Sequence, residues 1–185
     1  GRIKPEGGGN ERGLSTDTWV RDMEILKVAN LCKRYGAGEA EVVALNDVSF
    51  SVDKGECAAI VGQSSSGKST LMHLMGGVDL PTSGKVYVDG TDIYSMNEDA
   101  LSIFRRRQVG LVYQFYNLLP KLTVEENLSL PLLLDGREVD KGQLEELAEK
   151  LELSGRMKHL PSQLSGGQQQ KVGIGRAVLP CPAIV

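Results

Sequence analysis

Hydrophobic and polar residues alternate along "EILKVANL" (24–31) and "NDVSFSVDKGE" (46–56), the period-two pattern of half-buried strands. A third stretch, "KVYVDGTDIY" (85–94), places Asp-Gly between two arms and predicts a hairpin. "CAAIV" (57–61) is a continuous apolar run, as expected for a strand buried in a parallel sheet. Directly after a polar, glycine-flanked loop, "KSTLMHLMGGV" (68–78) has helical spacing and ends at a glycine pair; it predicts a helix with Leu71, Met72, Leu74 and Met75 on its core face. "RRQVGLVYQF" predicts another strand around 109–113. Beyond it, residues 123–158 are rich in helix formers: Thr123 with Glu126 reads as a capping box, and "DKGQLEELAEKLEL" (140–153) as an amphipathic helix. Residues 1–22 have no apolar period and are glycine-rich and charged, so they read as a tail, with Met23 as a natural start. No signal-peptide pattern follows Met23, and export of this chain is not expected.

Length and composition narrow the picture. A chain of 185 residues with 41% hydrophobic content supports one substantial core. Its net charge of −3 supplies no broad electropositive field, which disfavours non-specific nucleic-acid binding. Cys32, Cys57 and Cys181 are odd in number and far apart, neither a disulfide framework nor a metal-ligand pattern, so a reducing cytoplasm is the default. The most apolar stretch, "LSLPLLL" (128–134), is far shorter than a membrane span, and any membrane association is expected to come through a partner.

The chemistry concentrates in "GQSSSGKST". Gly62, Gly67, Lys68 and Ser69 stand at the fixed positions of G-x-x-x-x-G-K-[ST], between a predicted strand and a predicted helix. In such a phosphate-binding loop the backbone N–H groups of Gly62, Gln63, Ser64, Ser65, Ser66, Gly67 and Thr70 are available to phosphate oxygens, and the helix N-terminus adds positive partial charge. Lys68 reaches the β- and γ-phosphates, and the Ser69 hydroxyl ligates Mg²⁺ bridging them. A second constellation lies at "LSGGQQQKVGIGRA". Ser165 can cap a helix with Gln168 closing a capping box, while Gly166 and Gly167 leave first-turn N–H groups uncovered for a further phosphate. One chain need not bring both constellations to one nucleotide, which admits a facing copy as the donor.

"GQSSSGKST", "LVYQFYNLLPKLTVEENL" and "LSGGQQQKVGIGRA", in this order, resemble the nucleotide-binding subunit of ATP-binding cassette (ABC) transporters, more narrowly the branch serving lipoprotein-releasing, macrolide-export and cell-division permeases. The resemblance runs from about residue 24 to 185 and implies an α/β P-loop ATPase core, an antiparallel β-subdomain and an inserted helical subdomain at about 97–160, all within residues 23–185. It implies ATP and Mg²⁺ as ligands, Tyr35 as the aromatic that stacks on adenine, and Gln114 as the glutamine near Mg²⁺ and the attacking water. Ser165, Gly166, Gly167 and Gln168 become the signature presented to the ATP of a second subunit. The implied partners are that second copy and a transmembrane permease at the cytoplasmic face of the plasma membrane, with no nucleic acid; residues 115–119 and the helices after Thr123 are the expected docking surface. Tyr35 also admits a plainer role, closing a hairpin, and the three arginines 105–107 read as a solvated junction. His73 and His159 receive no role.

Three departures from the family pattern carry consequences. Ser65 stands where such loops carry glycine. Lys171 replaces an arginine, and Gly173 and Gly175 replace alanines, at about 1 kcal/mol of helix propensity each. The family's next strand, with its Walker B aspartate and catalytic glutamate, and its later switch histidine do not follow "PCPAIV", so the chain is expected to be part of a longer subunit that binds ATP without turning it over alone. The alternatives are a soluble ABC ATPase of translation or chromosome maintenance, or a non-catalytic ATP-binding fragment.

Overall fold

The computed structural model describes residues 24–185; the expected tail at 1–22 lies outside them. Strands β1 (Glu24–Tyr35) and β2 (Val42–Asp53) form a long antiparallel hairpin. β3 (Ser83–Val88) adds to the other edge of β1, and β4 (Thr91–Asp92) follows through the Asp89-Gly90 turn, giving the order β2-β1-β3-β4. Both turn residues have positive φ, 47° and 73°, as a two-residue hairpin loop demands. The alternation in β1 is interrupted in mid-strand. Leu26 and Val28 face the core, and a bulge at Asn30 (φ 48°) shifts the register so that Leu31 turns inward as well. Gly84 sits opposite that bulge with φ 90°, where a Cβ would stand 2.3 Å from the Asn30 carbonyl oxygen; only glycine lets the two backbones approach so closely.

Leu71, Leu74 and Met75 of helix α1 (Lys68–Met75) are buried in one core with the sheet residues Val28 and Val86. Met72, expected in this face, is 45% exposed, because the buried stripe runs through positions 71, 74 and 75 and leaves 72 on the flank. Helix α2 (Glu98–Gln108) starts at Asn97, whose side chain accepts from the Ala100 N–H, and adds Leu101 and Phe104 to the same core. Its last turn holds the three arginines, which are not a solvated junction. Arg105 donates to the Gly77 carbonyl at 2.8 Å and Arg106 to the Leu134 carbonyl at 2.6 Å, while Arg107 pairs with the Asp135 carboxylate, which is only 3% exposed. These partners lie 28 residues away in either direction, beyond the reach of a local reading.

A second core is helical. Helix α3 (Val124–Leu134) opens with the predicted capping box between Thr123 and Glu126, and α4 (Lys141–Lys150) is the predicted amphipathic helix, capped by Asp140. With α5 (Gly166–Val178) they bury Leu128, Leu144, Leu153 and Val172. Asn127, fully buried on α3, accepts from the Leu119 N–H and donates to the Leu119, Leu122 and Thr123 carbonyls, which fixes the approach to the helix. The two glycines of α5 differ. A Cβ on Gly175 would lie 2.5 Å from Leu128 and 2.8 Å from Leu151, so that glycine permits close packing; one on Gly173 would meet nothing nearer than 3.7 Å.

Two expected strands are not formed. Residues 57–61 have no regular structure: Ile60 packs against the first core while Val61 is 87% exposed. At 109–113 pairing is confined to Val109, which bridges to Ile184 in parallel. A parallel strand has no hydrogen bonds of its own and forms only between neighbours. Among the described residues, Ile184 is the sole parallel neighbour, meeting Val109 through the Gly110 N–H at 2.8 Å.

Candidate functional site

The phosphate-loop sequence builds the geometry it requires. Ser65 has φ 64° and Gly67 φ 87°, two left-handed residues that reverse the chain just before α1. At Gly67 a Cβ would stand 2.4 Å from the Ala44 carbonyl oxygen, so glycine is needed both for its φ and for its contact with β2. Gly67 is also the N-cap of α1 and supplies no capping side chain, which leaves the helix's first N–H groups to an external acceptor. Beside them lies an open cavity of about 220 Å³, lined by residues 42–44 of β2 and residues 65–70. The Lys68 ammonium folds over the loop, 2.9 Å from the Gly62 carbonyl oxygen, 2.5 Å from that of Gln63 and 3.4 Å from Ser66 Oγ. These are weak neutral acceptors compared with phosphate oxygens, and they hold the lysine at the loop.

Tyr35 ends β1 directly across the hairpin from Val42, which lines the cavity. Its hydroxyl donates to Asp79 Oδ2 at 2.7 Å, and the Lys33 ammonium lies 4.6 Å from its ring centroid. It does close a hairpin, the plainer of the two expected roles. Sequence reasoning missed Val42, Val43 and Ala44 as cavity walls; the strand pattern does not say what β2 meets, and it is the close approach of Gly67 to Ala44 and Leu45 that sets them beside the loop.

Gln114 and the signature do not line this cavity. Gln114 is exposed within residues 110–116, a stretch without helix or strand. The signature helix starts as expected: Ser165 Oγ accepts from the Gln168 N–H and Gln168 Oε1 from the Ser165 N–H. The structure brings these two motifs to each other. From α5, Arg176 donates to the Asn117 and Tyr116 carbonyls at 2.7 and 3.0 Å, and a Cβ on Gly166 would stand 3.4 Å from the Tyr116 hydroxyl. Phe115, between Gln114 and this anchor, is 80% exposed. Among the described residues no group of three or more His, Cys, Asp or Glu could hold a metal, and no helix is long and apolar enough to cross a membrane.

An α/β fold with this loop at the start of α1 and a capped Ser-Gly-Gly-Gln helix defines the P-loop ATPases of the cassette type. The ABC transporter family matches residues 45–185. The chain is 43% identical over 164 residues to an uncharacterized ABC transporter ATP-binding protein of Thermotoga maritima, covering 88% of this chain and 70% of that protein. It is 42% identical over 163 residues to the lipoprotein-releasing system ATP-binding protein LolD of Shewanella frigidimarina, covering 87% and 68%. Among solved structures it is similar to the ATP-binding cassette MJ0796, a dimer in a post-hydrolysis state bound to ADP and Pi, with TM-score 0.76 and 39% identity over 85% of this chain and 70% of that one. A second dimeric structure of that bacterial cassette gives a TM-score of 0.75. This chain therefore belongs to the ABC transporter ATP-binding family.

Proposed function

We propose that the chain is the ATP-binding part of a transporter subunit, which holds MgATP on residues 62–70 and, paired with a second copy, couples ATP hydrolysis to a permease at the cytoplasmic face of the membrane. The observation that carries this reading is the loop: two left-handed residues and an uncapped helix end beside a cavity, in a chain of this family. Lys68 exchanges the Gly62 and Gln63 carbonyls for β- and γ-phosphate oxygens, a stronger charge-assisted contact. The loop N–H groups take the remaining phosphate oxygens. Tyr35 stacks on the adenine.

The Ser69 hydroxyl, at the cavity, is a hard oxygen donor of the kind magnesium takes beside phosphate and water; Gln114, outside the cavity, would add its carboxamide oxygen only on moving to it. Bound there, the ion neutralises charge on the β- and γ-phosphates. Gln114 orients the attacking water. Ser165, Gly166, Gly167 and Gln168 act on the nucleotide of the facing copy through the first-turn N–H groups that the Ser165–Gln168 box leaves uncovered, in keeping with their separation from this chain's own cavity. No carboxylate is among the residues lining the cavity, so the base that takes the proton of the attacking water has to come from outside it.

Phe115, exposed beside the segment that Arg176 anchors, meets the permease, and the helices after Thr123, whose core is separate from the one that α2 joins, carry the contact. Replacing Phe115 with a photoreactive phenylalanine analogue tests this reading in cells. The expected adduct is with an integral membrane protein; adducts confined to ribosomal or DNA-bound proteins would favour the soluble alternative instead.

A further inference from the structure

The far end of α1 carries a group of residues that the phosphate loop does not explain. After the helix, the Val78 N–H donates to the His73 carbonyl at 2.8 Å, and the next residue is Asp79. The Tyr94 hydroxyl, 2.5 Å from the Leu74 carbonyl oxygen and 2.8 Å from that of Asp79, fixes this backbone. The Asp79 carboxylate accepts from the Tyr35 hydroxyl at 2.7 Å on one oxygen, and on the other from Lys33 at 2.8 Å and from the Leu80 N–H at 2.7 Å. Lys33 is itself confined: its side chain is 11% exposed, and it also donates to the Leu80 carbonyl at 2.6 Å. A tyrosine at the turn end of a hairpin would otherwise rotate about χ1 and χ2. Here its hydroxyl is tethered to the element that carries the phosphate loop, and one ring face is covered by a cation.

We propose that Asp79 and Lys33 are positioning residues for Tyr35, holding its ring at a set place relative to the phosphate loop so that its uncovered face takes the base of the bound nucleotide. The inference rests on the ATP-binding reading above. Helix α1 is the ruler: Lys68 at its first residue meets the phosphates, and Asp79, pinned just past its last turn, fixes the ring. The cation draws π density from the covered face, which favours stacking of an electron-rich purine on the other.

Tyr35→Phe keeps the ring and removes only the tethered oxygen; Asp79→Asn removes the charge that holds Lys33. The test titrates the full chain, both single variants and the double variant with MgATP and, separately, with magnesium tripolyphosphate, which has the phosphates and no base. Each single variant is expected to bind ATP about three- to tenfold more weakly, the double variant no worse than the weaker single one, and tripolyphosphate binding should not change. ATP affinity unchanged in either single variant would overturn the inference, as would an equal loss for tripolyphosphate, which would make Asp79 a support of α1 and nothing more. A wild-type chain that binds neither ligand would instead remove the ATP-binding reading, and this assignment with it.

Discussion

Ser65 holds a φ of 64° in a loop where a left-handed serine is strained. An L-residue in that region costs about 1–2 kcal/mol, while glycine costs about 0.5–1 kcal/mol in unfolded-chain entropy. Ser65→Gly is therefore expected to raise stability by roughly 0.5–1 kcal/mol in urea unfolding, and a loss of stability would contradict the strain. Asp79 makes a prediction in pH. Burial pushes its carboxyl up, but the hydrogen bonds from Lys33 and Tyr35 outweigh it and hold the group below its ordinary 3.8. A depressed folded value stabilises the protein above the unfolded value, and that contribution is lost as the pH falls through about 4 and below. The gap in urea midpoint between wild type and Asp79→Asn should be present at neutral pH and vanish in acid; a gap independent of pH would show that the charge contributes nothing. Ser65 was legible in the sequence as a departure from the motif, since the motif assigns each backbone position. Asp79 was not, because its partners Lys33 and Tyr35 are more than 40 residues away and meet it only through the β1–β3 pairing.

Among the elements, those set by adjacent chemistry were readable and those set by neighbours were not. The Thr123-Glu126 and Ser165-Gln168 boxes and the Asp89-Gly90 turn involve residues within one turn of each other, and all three form as expected. Residues 57–61 and 109–113 have the composition of strands, but a strand exists only with a partner, and hydrophobicity names none. Helix α5 shows the same division. Its two glycines cost propensity alike, yet Gly175 admits Leu128 and Leu151 while Gly173 faces room. Gly173→Ala should add about 1 kcal/mol of stability. Gly175→Ala should lose about that much, since overpacking against a fully buried leucine outweighs the gain in propensity. Thermal unfolding of the pair checks this, and equal shifts of the same sign would contradict the packing argument.

At the scale of the whole molecule, two cores carry different halves of the chemistry. The sheet core seats α1 and the phosphate loop, and the helical core seats the signature helix and, through Arg176, the segment after Gln114. Arg106 and Arg107 tie the halves together at Leu134 and Asp135. The family was legible from three motifs because each is a local solution to holding phosphate or capping a helix; the cavity walls at 42–44 and the arginine clamp were not, since they depend on where strands and helices meet. The central claim is that this loop holds the triphosphate of ATP, and Lys68 tests it most directly, because the hydrogen bonds of its ammonium go to Gly62, Gln63 and Ser66, all within the loop. Equilibrium titration of MgATP into wild type and Lys68→Ala, with far-UV circular dichroism confirming an unchanged fold, should show affinity falling about 10- to 100-fold in the variant. A folded Lys68→Ala protein that binds MgATP as tightly as wild type would contradict the account.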